Sequence, residues 1–267
     1  MLDVLSYVAE RKASIKRHVD LLKAKGHRAP RLAIVTDDRN FDANASYIKS
    51  KTKFAMDVGI DCDVIVLKDC DEFISKPQMY DGVIVQFPFR NYSFKEFQAY
   101  VTKHVPSFVD VDGLTKGSRF EPCTPLGIVR YLKYLRSKEV IGAHTTVNII
   151  GAGGLVGRPL AEMLVRDPSY TVCVTRSNTD EWVADNFHAT SDVVVCATPT
   201  HELIKAVDPR KVYVDCGCNL VGGKLLGNVS RACYSDEANI TPVPFGVGRM
   251  TVLALFENVL DSYFWSC

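Results

Sequence analysis

The stretch VNIIGAGGLVGRPLAEML, from Val147 to Leu164, decides the fold of this chain. An apolar run ending at Ile150 leads into a glycine cluster, and an amphipathic run follows the cluster. This order of strand, glycine turn and helix suits a dinucleotide, because glycine permits a tight turn and a helix N-terminus directs N–H groups at phosphates. Glycine also serves plain strand-to-helix turns, so the flanking strand and helix are what favour a cofactor. The predicted cofactor-binding residues are Gly151, Gly153, Gly154, Leu155, Val156 and Gly157.

Short apolar runs alternate with amphipathic runs on both sides of this stretch. The other predicted strands are Arg31–Asp38, Asp63–Lys68, Gly82–Phe87, Thr171–Thr175, Asp192–Thr198 and Val212–Gly217. The predicted helices are 3–24, a helix capped by Asp42 or Asn44 that ends at Val58, Tyr92–His104, 126–135, Thr179–Phe187, His201–Val207 and Met250–Tyr263. Such alternation is typical of parallel sheets covered on both faces. It predicts the α/β class, with two α/β domains and the ligand in the cleft between them.

Composition narrows the class of protein. The chain has 267 residues, of which 24% are charged, and its net charge is +1, so no strong field would attract nucleic acid or an acidic membrane. The longest apolar runs are strand-sized, and the amphipathic N-terminus is charged throughout, which predicts neither a membrane span nor a signal peptide. The nine cysteines are scattered, and Cys216-x-Cys218 is too tight for half of a zinc site. We therefore expect a soluble, cytoplasmic protein without a metal.

Three places could carry chemistry. Tyr47 and Lys51 are four residues apart on the second helix, so they project from one face and could stack on a flat ring and hold a base beside it. Such pairs are also common on solvated helices. Gln86 ends an apolar strand at the edge where α/β sheets bind ligands, although it could simply emerge from the core.

The third place is the long loop from Val105 to Pro125, because loops of this length inside a compact domain usually carry function. Either Asp110 or Asp112 could accept hydrogen bonds from a heterocycle, and the other would then be an ordinary turn aspartate.

The end of the strand Thr171–Thr175 bears on the choice of cofactor. NAD sites usually place an acid there for the ribose hydroxyls, but here Arg176 and Ser177 follow the strand. A guanidinium and a hydroxyl suit a 2′-phosphate better, which favours NADP over NAD unless Arg176 is an ordinary surface residue.

Five segments together resemble the methylenetetrahydrofolate dehydrogenase/cyclohydrolase family. They are SYIKSKTKFAMDVGI, GVIVQFPF, DVDGL with PCTPLGIV, LVGRPLAEML, and TPVPFGVGRMTVLALFENVL. The segments keep the order that they have in the family and cover nearly the whole chain.

The resemblance implies oxidation of 5,10-methylenetetrahydrofolate to the methenyl compound with NAD(P)+, and hydrolysis of that product to 10-formyltetrahydrofolate. Tyr47 would stack on the folate and Asp112 would bind the pterin. Lys51 would serve the hydrolysis, held by Gln86. The loop that closes over folate and nicotinamide would contain Pro244, Gly246 and Gly248.

The resemblance also implies an architecture. Residues 1–125 plus 250–267 would form the N-terminal folate domain, with the last helix returning to it, and residues 126–249 would form the Rossmann-type domain. The protein would be a homodimer.

The chain departs from the family at three places. After the strand Thr171–Thr175, the residues Arg176-Ser177-Asn178-Thr179 stand where the family has His-Ser-x-Thr, and Arg176 would replace a charge lost from the nucleotide turn. The nucleotide turn has Ala152 and Gly153 where the family has the arginine and serine that serve the cofactor phosphates. The closing loop has Phe245 and Arg249 in place of a glycine and a proline.

These departures leave three alternatives. One is a member of the family that is a dehydrogenase only, and another is a folate- or nucleotide-binding protein without turnover. The third is a different enzyme, because GAGG and the later Thr-Arg-Ser are similar to shikimate dehydrogenases, although nothing in the first domain is.

Overall fold

The structure, a computed structural model, describes residues 2–68 and 76–266. Contacts divide the chain into two compact units. We call Glu10–Cys123 with Val252–Cys267 the three-strand unit, and Met1–Ala9 with Thr124–Thr251 the five-strand unit. None of the described helices is long and apolar enough to cross a membrane.

The three-strand unit is built on a parallel sheet in the order β2-β1-β3. Its strands are β1 (Arg31–Asp37), β2 (Asp61–Leu67) and β3 (Gly82–Val85). The helices that contribute to it are α1 (Val4–Ala24), α2 (Phe41–Val58) and α3 (Phe94–His104), with a 3₁₀ turn at Pro77–Met79. The central strand β1 is buried along almost its whole length, which explains why its sequence is a continuous apolar run rather than an alternating one.

The ends of these helices follow the sequence closely. Gly59 takes the left-handed conformation (φ +80°) that ends α2 directly after Val58, the predicted last residue. Ser93 and Glu96 form a reciprocal capping box at the start of α3. The predicted cap of α2 is wrong: the helix begins at Phe41, and Asn44 lies inside it, where its amide donates to Thr36 Oγ1 and the Pro88 carbonyl.

The five-strand unit contains a parallel sheet in the order β10-β7-β6-β4-β5. Its strands are β4 (Thr145–Ile150), β5 (Tyr170–Thr175), β6 (Val193–Cys196), β7 (Val212–Asp215) and β10 (Asn239–Ile240). Its helices include α4 (Cys123–Ser137), α5 (Gly157–Leu164), α6 (Glu181–Thr190) and the start of α7 (Val247–Ser266). A small antiparallel hairpin, β8 (Asn219–Val221) with β9 (Lys224–Leu226), and a 3₁₀ turn at Arg231–Cys233 complete it.

The predicted α/β class with two α/β bodies is confirmed, but the predicted helix His201–Val207 is wrong. Glu202 has a positive φ of 49°, and Ile204 forms a β-bridge with Val229. These contacts with a distant segment hold the chain extended where its sequence pattern favoured a helix.

The two units differ from the predicted domains at the N-terminus. Residues 2–9 pack on the five-strand unit: the Leu2 N–H donates to the Ile240 carbonyl, and the Tyr7 ring lies 5.1 Å from that of Tyr131 and 4.8 Å from that of Tyr134. Helices α1 and α7 therefore each supply residues to both units. The predicted domain boundaries themselves stay a prediction.

Candidate active site and nucleotide-binding turn

Lys51 and Gln86 meet at one edge of the three-strand sheet. Lys51 lies in α2, which follows β1, and Gln86 comes directly after β3, the neighbour of β1. The Lys51 ammonium lies 2.5 Å from Gln86 Oε1, while Gln86 Nε2 donates to the Phe87 carbonyl at 2.7 Å. The carboxyl ends of parallel strands share one edge, which is why residues 35 positions apart meet here.

The surroundings of Lys51 disfavour its charge. Burial lowers the pKa of Lys51, and the nearby Asp112 carboxyl acts in the opposite direction. Gln86 fixes the amine without adding a charge. A lysine in this position can serve as a neutral base at lower pH than an exposed lysine can.

The two aspartates of the loop after α3 make different contacts. Asp110 is 1% exposed and accepts hydrogen bonds from Thr115 (N–H at 2.7 Å and hydroxyl at 2.8 Å), from the Gly113 N–H and from the Asp112 N–H. Asp110 is thus the turn aspartate. The Asp112 carboxyl instead interacts with Lys51 and with the Cys123 thiol, and burial raises its pKa.

Glycine is required in this loop. Gly113 has a φ of +71°, and a Cβ there would lie 2.5 Å from the Glu121 carbonyl carbon. The backbone turns sharply here, directly after Asp112.

Two polar residues beside Asp112 were missed by sequence reasoning. The Cys123 thiol donates to the Val111 carbonyl at 3.2 Å, and it lies close enough to the Asp112 carboxyl to act against the rise of its pKa. Asn258 of α7 is fully buried, and its Nδ2 lies 3.0 Å from the same Val111 carbonyl and 3.7 Å from Cys123 Sγ. The sequence did contain a signal for Asn258, because this polar residue interrupts the apolar run of the last helix.

Tyr47 precedes Lys51 by one turn of α2, and its side chain is about half exposed. This matches the geometry expected of a ring that could stack on a ligand beside Lys51. Among the described residues there is no group of three or more His, Cys, Asp or Glu residues that could hold a metal.

The glycine turn of the five-strand unit fits a dinucleotide. Gly151 follows β4 with a φ of +92°, and a Cβ there would lie 2.3 Å from the Ala197 carbonyl oxygen. A Cβ on Gly157, the first residue of α5, would lie 2.5 Å from the Gly151 carbonyl oxygen. In the described part of the chain, the N–H groups of Gly153, Leu155, Val156 and Gly157 have no acceptor within the chain. They are available to an anion at the N-terminus of α5.

This turn also lies at the switch point of the sheet. β4 has β5 on one side and β6 on the other, and the crevice beyond such a point is where open α/β sheets bind their ligands. Gly154, also predicted to line the cofactor, closes the turn by donating to the Gly151 carbonyl at 3.0 Å.

Arg176 and Ser177 lie beside the glycine turn. The N–H groups of Gly151 and Ala152 both donate to the Thr175 carbonyl, at 2.9 and 3.3 Å. The turn that starts at Arg176 is closed by Thr179, whose Oγ1 accepts from the Arg176 N–H. Both residues are exposed and directly follow β5, and their contact with a cofactor stays a prediction.

The loop before α7 contains Pro244 and Gly246, whereas Gly248, which was predicted for the same loop, is the second residue of α7, because the helix begins at Val247 and not at the predicted Met250. A Cβ on Gly246 would lie 2.4 Å from the Pro242 carbonyl oxygen, whereas Gly248 has open space around it. Phe245 has a φ of +87° and is 59% exposed, with the Arg249 guanidinium 4.9 Å from its ring centroid. That this loop closes over a folate stays a prediction.

Comparisons with known proteins agree with these features. Residues 122–266 match the sequence model of the family described as tetrahydrofolate dehydrogenase/cyclohydrolase, NAD(P)-binding domain. The bifunctional protein FolD of Hydrogenobaculum sp. is 34% identical over 98% of both chains, and that of Aquifex aeolicus is 33% identical over 98% of this chain and 94% of its own length. The crystal structure of the bifunctional FolD methylenetetrahydrofolate dehydrogenase/cyclohydrolase of Campylobacter jejuni is 28% identical, with a TM-score of 0.81 over 99% of this chain and 98% of that one.

The match covers more than half of the chain with the family model and nearly all of it with the relatives, so the resemblance noted in the sequence is confirmed. The chain belongs to the tetrahydrofolate dehydrogenase/cyclohydrolase family, and residues 122–266 contain its NAD(P)-binding domain.

Proposed function

We propose that this protein oxidises 5,10-methylenetetrahydrofolate to 5,10-methenyltetrahydrofolate with NADP+, and then hydrolyses the product to 10-formyltetrahydrofolate. The observation that carries the proposal is the cluster of Lys51, Gln86 and Asp112, which combines a buried amine, a neutral partner and a carboxyl. Family membership supplies the class of reaction, and this cluster supplies the groups that the hydrolytic step needs.

The dehydrogenase step, a hydride transfer, needs no acid–base residue. When bound, NADP+ supplies the hydride acceptor. The chain contributes positioning: N–H groups at the start of α5 would hold the cofactor phosphates. Asp112 would hold the pterin through the amino and ring N–H groups of that heterocycle, and Tyr47 would stack on the substrate.

The hydrolytic step uses Lys51 as a base. Water adds to the positive methenyl carbon, and the neutral Lys51 amine takes a proton from that water. The bond from the former methenyl carbon to N5 then breaks, which leaves the formyl group on N10. Overall, one water is consumed and one proton is released.

The substrate itself supports a neutral Lys51. A cationic methenyl group would repel an ammonium beside it, and this repulsion would act in the same direction as burial, which already lowers the pKa of Lys51. The hydrogen bond to Gln86 would keep the amine aimed at the water.

NADP is proposed as the preferred cofactor. The support is the exposed Arg176 and Ser177 next to the glycine turn, where a 2′-phosphate would find a guanidinium and a hydroxyl. A homodimer and a cytoplasmic location are proposed on the family resemblance, and light scattering of the purified protein tests the first.

The decisive experiment is a spectrophotometric assay with 5,10-methylenetetrahydrofolate and either NADP+ or NAD+, with a separate hydrolysis assay on 5,10-methenyltetrahydrofolate. We expect turnover in both, with NADP+ preferred. Turnover in the first assay alone would point to a dehydrogenase-only protein. Folate binding without turnover in either assay would contradict the proposal.

A further inference from the structure

Asn258 is an unusual residue for the inner face of the last helix. It is fully buried in α7, between the apolar residues Phe256 and Val259 and beside Glu257. A buried side-chain amide costs free energy unless it is hydrogen-bonded. Its Nδ2 donates to Val111 and Cys123, and Oδ1 has no partner among the described residues.

The two acceptors of Asn258 are hydrogen-bonded to each other, and both belong to residues next to Asp112. Val111 is the residue before Asp112, so the bond to its carbonyl fixes the backbone from which Asp112 projects. Cys123, whose thiol donates to the same Val111 carbonyl at 3.2 Å, lies close enough to the Asp112 carboxyl to affect its pKa. One amide thus restrains the Asp112 main chain and its side-chain partner together.

We propose that Asn258 is a positioning residue for the folate reactions, which acts through Val111 and Cys123 to hold the Asp112 carboxyl beside Lys51. This inference rests on the proposed function, because it assigns Asn258 to the same site. A purely structural role predicts lower stability alone, whereas a positioning role also predicts a change in the behaviour of Lys51.

That change can be predicted from the groups around Lys51. Asp112 faces it from the loop, Gln86 from the end of β3, Cys123 from the start of α4 and Cys62 from β2. Burial raises the pKa of Cys62 to about 11 and that of Cys123 well above its ordinary value, so both thiols are neutral near pH 7. Asp112 itself is faced by Lys51, Asp110 and Cys123.

Asp112 acts to raise the pKa of Lys51 against the effect of burial. If the carboxyl moves away, this contribution is lost and the pKa of Lys51 falls further. The hydrolysis rate rises with pH as Lys51 loses its proton, so the acid limb of the pH profile shifts to lower pH.

The test compares Asn258→Leu, which keeps the size but removes the amide, with Leu255→Ala at another buried position of α7. We expect both variants to melt at lower temperature than the wild type. Only Asn258→Leu should raise the KM for 5,10-methenyltetrahydrofolate, by about tenfold, the loss of roughly one hydrogen bond to a charged group. Only this variant should shift the acid limb downwards.

If Asn258→Leu does not fold, Asn258→Ser, which keeps a shorter donor, takes its place with smaller changes in the same direction. An unchanged acid limb and KM in a folded variant would overturn the inference.

Calorimetric titration with tetrahydrofolate separates this inference from the proposed function. Wild-type protein that binds tetrahydrofolate without turnover would refute the proposed function, and a weaker affinity of Asn258→Leu alone would still support positioning of Asp112. Equal affinity in the wild type and in Asn258→Leu, or no binding by the wild type, would refute the positioning role.

Discussion

At the scale of single residues, the proposed chemistry depends on Lys51, a partly buried lysine that is hydrogen-bonded to a glutamine and near a carboxyl. In the sequence, only the four-residue spacing from Tyr47 separates Lys51 from Lys49 and Lys53, which are exposed on the same helix. The distinction comes from Gln86 and Asp112, which are 35 and 61 positions away along the chain. The spacing alone left both a functional and a solvated Lys51 open, and the family resemblance was what gave it a role.

Replacing the amine tests its proposed role directly. Lys51→Met keeps the length of the side chain but removes the base, so we expect hydrolysis to fall by at least about 100-fold while hydride transfer stays measurable. Lys49→Met is the matched control and should leave both rates unchanged. Retained hydrolysis in Lys51→Met would remove Lys51 from this role.

The pH dependence of hydrolysis follows from the direction of the pKa shift. Burial lowers the pKa of Lys51, and the neutral amine is the active form, so the rate should rise with pH and level off below the ordinary lysine pKa of about 10.4. The pH profile of kcat/KM for hydrolysis measures this. A limb centred near the ordinary value would show that the base is another group or that Lys51 is solvated.

Arg176 carries the proposed choice of cofactor. Arg176→Ala should raise the KM for NADP+ by about tenfold or more, since a hydrogen bond between charged groups is lost, and should spare NAD+. Arg210→Ala removes the same charge and serves as the control. Arg210 precedes β7, so it lies where the parallel strands begin, whereas Arg176 lies where they end. Equal effects of Arg176→Ala on both cofactors would contradict the assignment.

At the scale of elements, the strands of four or more residues and the long helices could be predicted, because their sequences are continuous or periodic apolar runs, whereas the two-residue strand β10 could not. Errors occurred where one side chain from a distant segment decides the local structure. Asn228 donates to the Thr198 and Thr200 carbonyls, and the segment that follows cannot form the helix expected at His201–Val207. The hairpin of β8 and β9 was missed although Gly222-Gly223, both at positive φ, is a typical two-residue turn.

Two substitutions in the glycine turn should have opposite effects on the KM for NADP+. Gly157→Ala places a Cβ against the Gly151 carbonyl and should raise the KM for NADP+ by about tenfold, because the turn must shift. Gly153 has no atom within 4 Å of its Cβ position, so Gly153→Ser should fit and lower that KM by about fivefold through one new hydrogen bond. A serine there would also restore the residue common in the family.

Calorimetric titration of both variants with NADP+ checks these expectations. Tighter binding by Gly157→Ala than by the wild type would contradict the structural reason given for that glycine. Weaker binding by Gly153→Ser would mean that the cofactor backbone fills the open space beside Gly153.

At the scale of the whole molecule, neither unit is made of one continuous stretch of chain. Residues 2–9 belong with the five-strand unit, where Tyr7 is 3% exposed and contacts Tyr131 and Tyr134. This long-range assignment could not be predicted, since the amphipathic pattern of α1 does not reveal which unit its first turns cover.

Tyr7→Ala tests the assignment. We expect a loss of about 3 kcal/mol in the free energy of unfolding, the usual cost of removing a large buried aromatic side chain. If residues 2–9 belong with the five-strand unit, saturating NADP+ should recover part of the lost melting temperature. Leu5→Ala, at an exposed position of the same helix, is the control and should change stability little. A Tyr7→Ala protein as stable as the control would refute the packing described here.

The division of helix α7 between the units affects the order in which they can be completed on the ribosome. The Phe256 ring stacks on Phe54 at 4.7 Å, and Asn258 binds Val111, so the three-strand unit lacks part of its core until α7 has been synthesised. The whole of Thr124–Thr251 emerges in between. The five-strand unit can therefore finish folding first, while Glu10–Cys123 still exposes apolar surface. Nascent chains that end between Cys123 and Val252 are the ones that chaperones should bind longest.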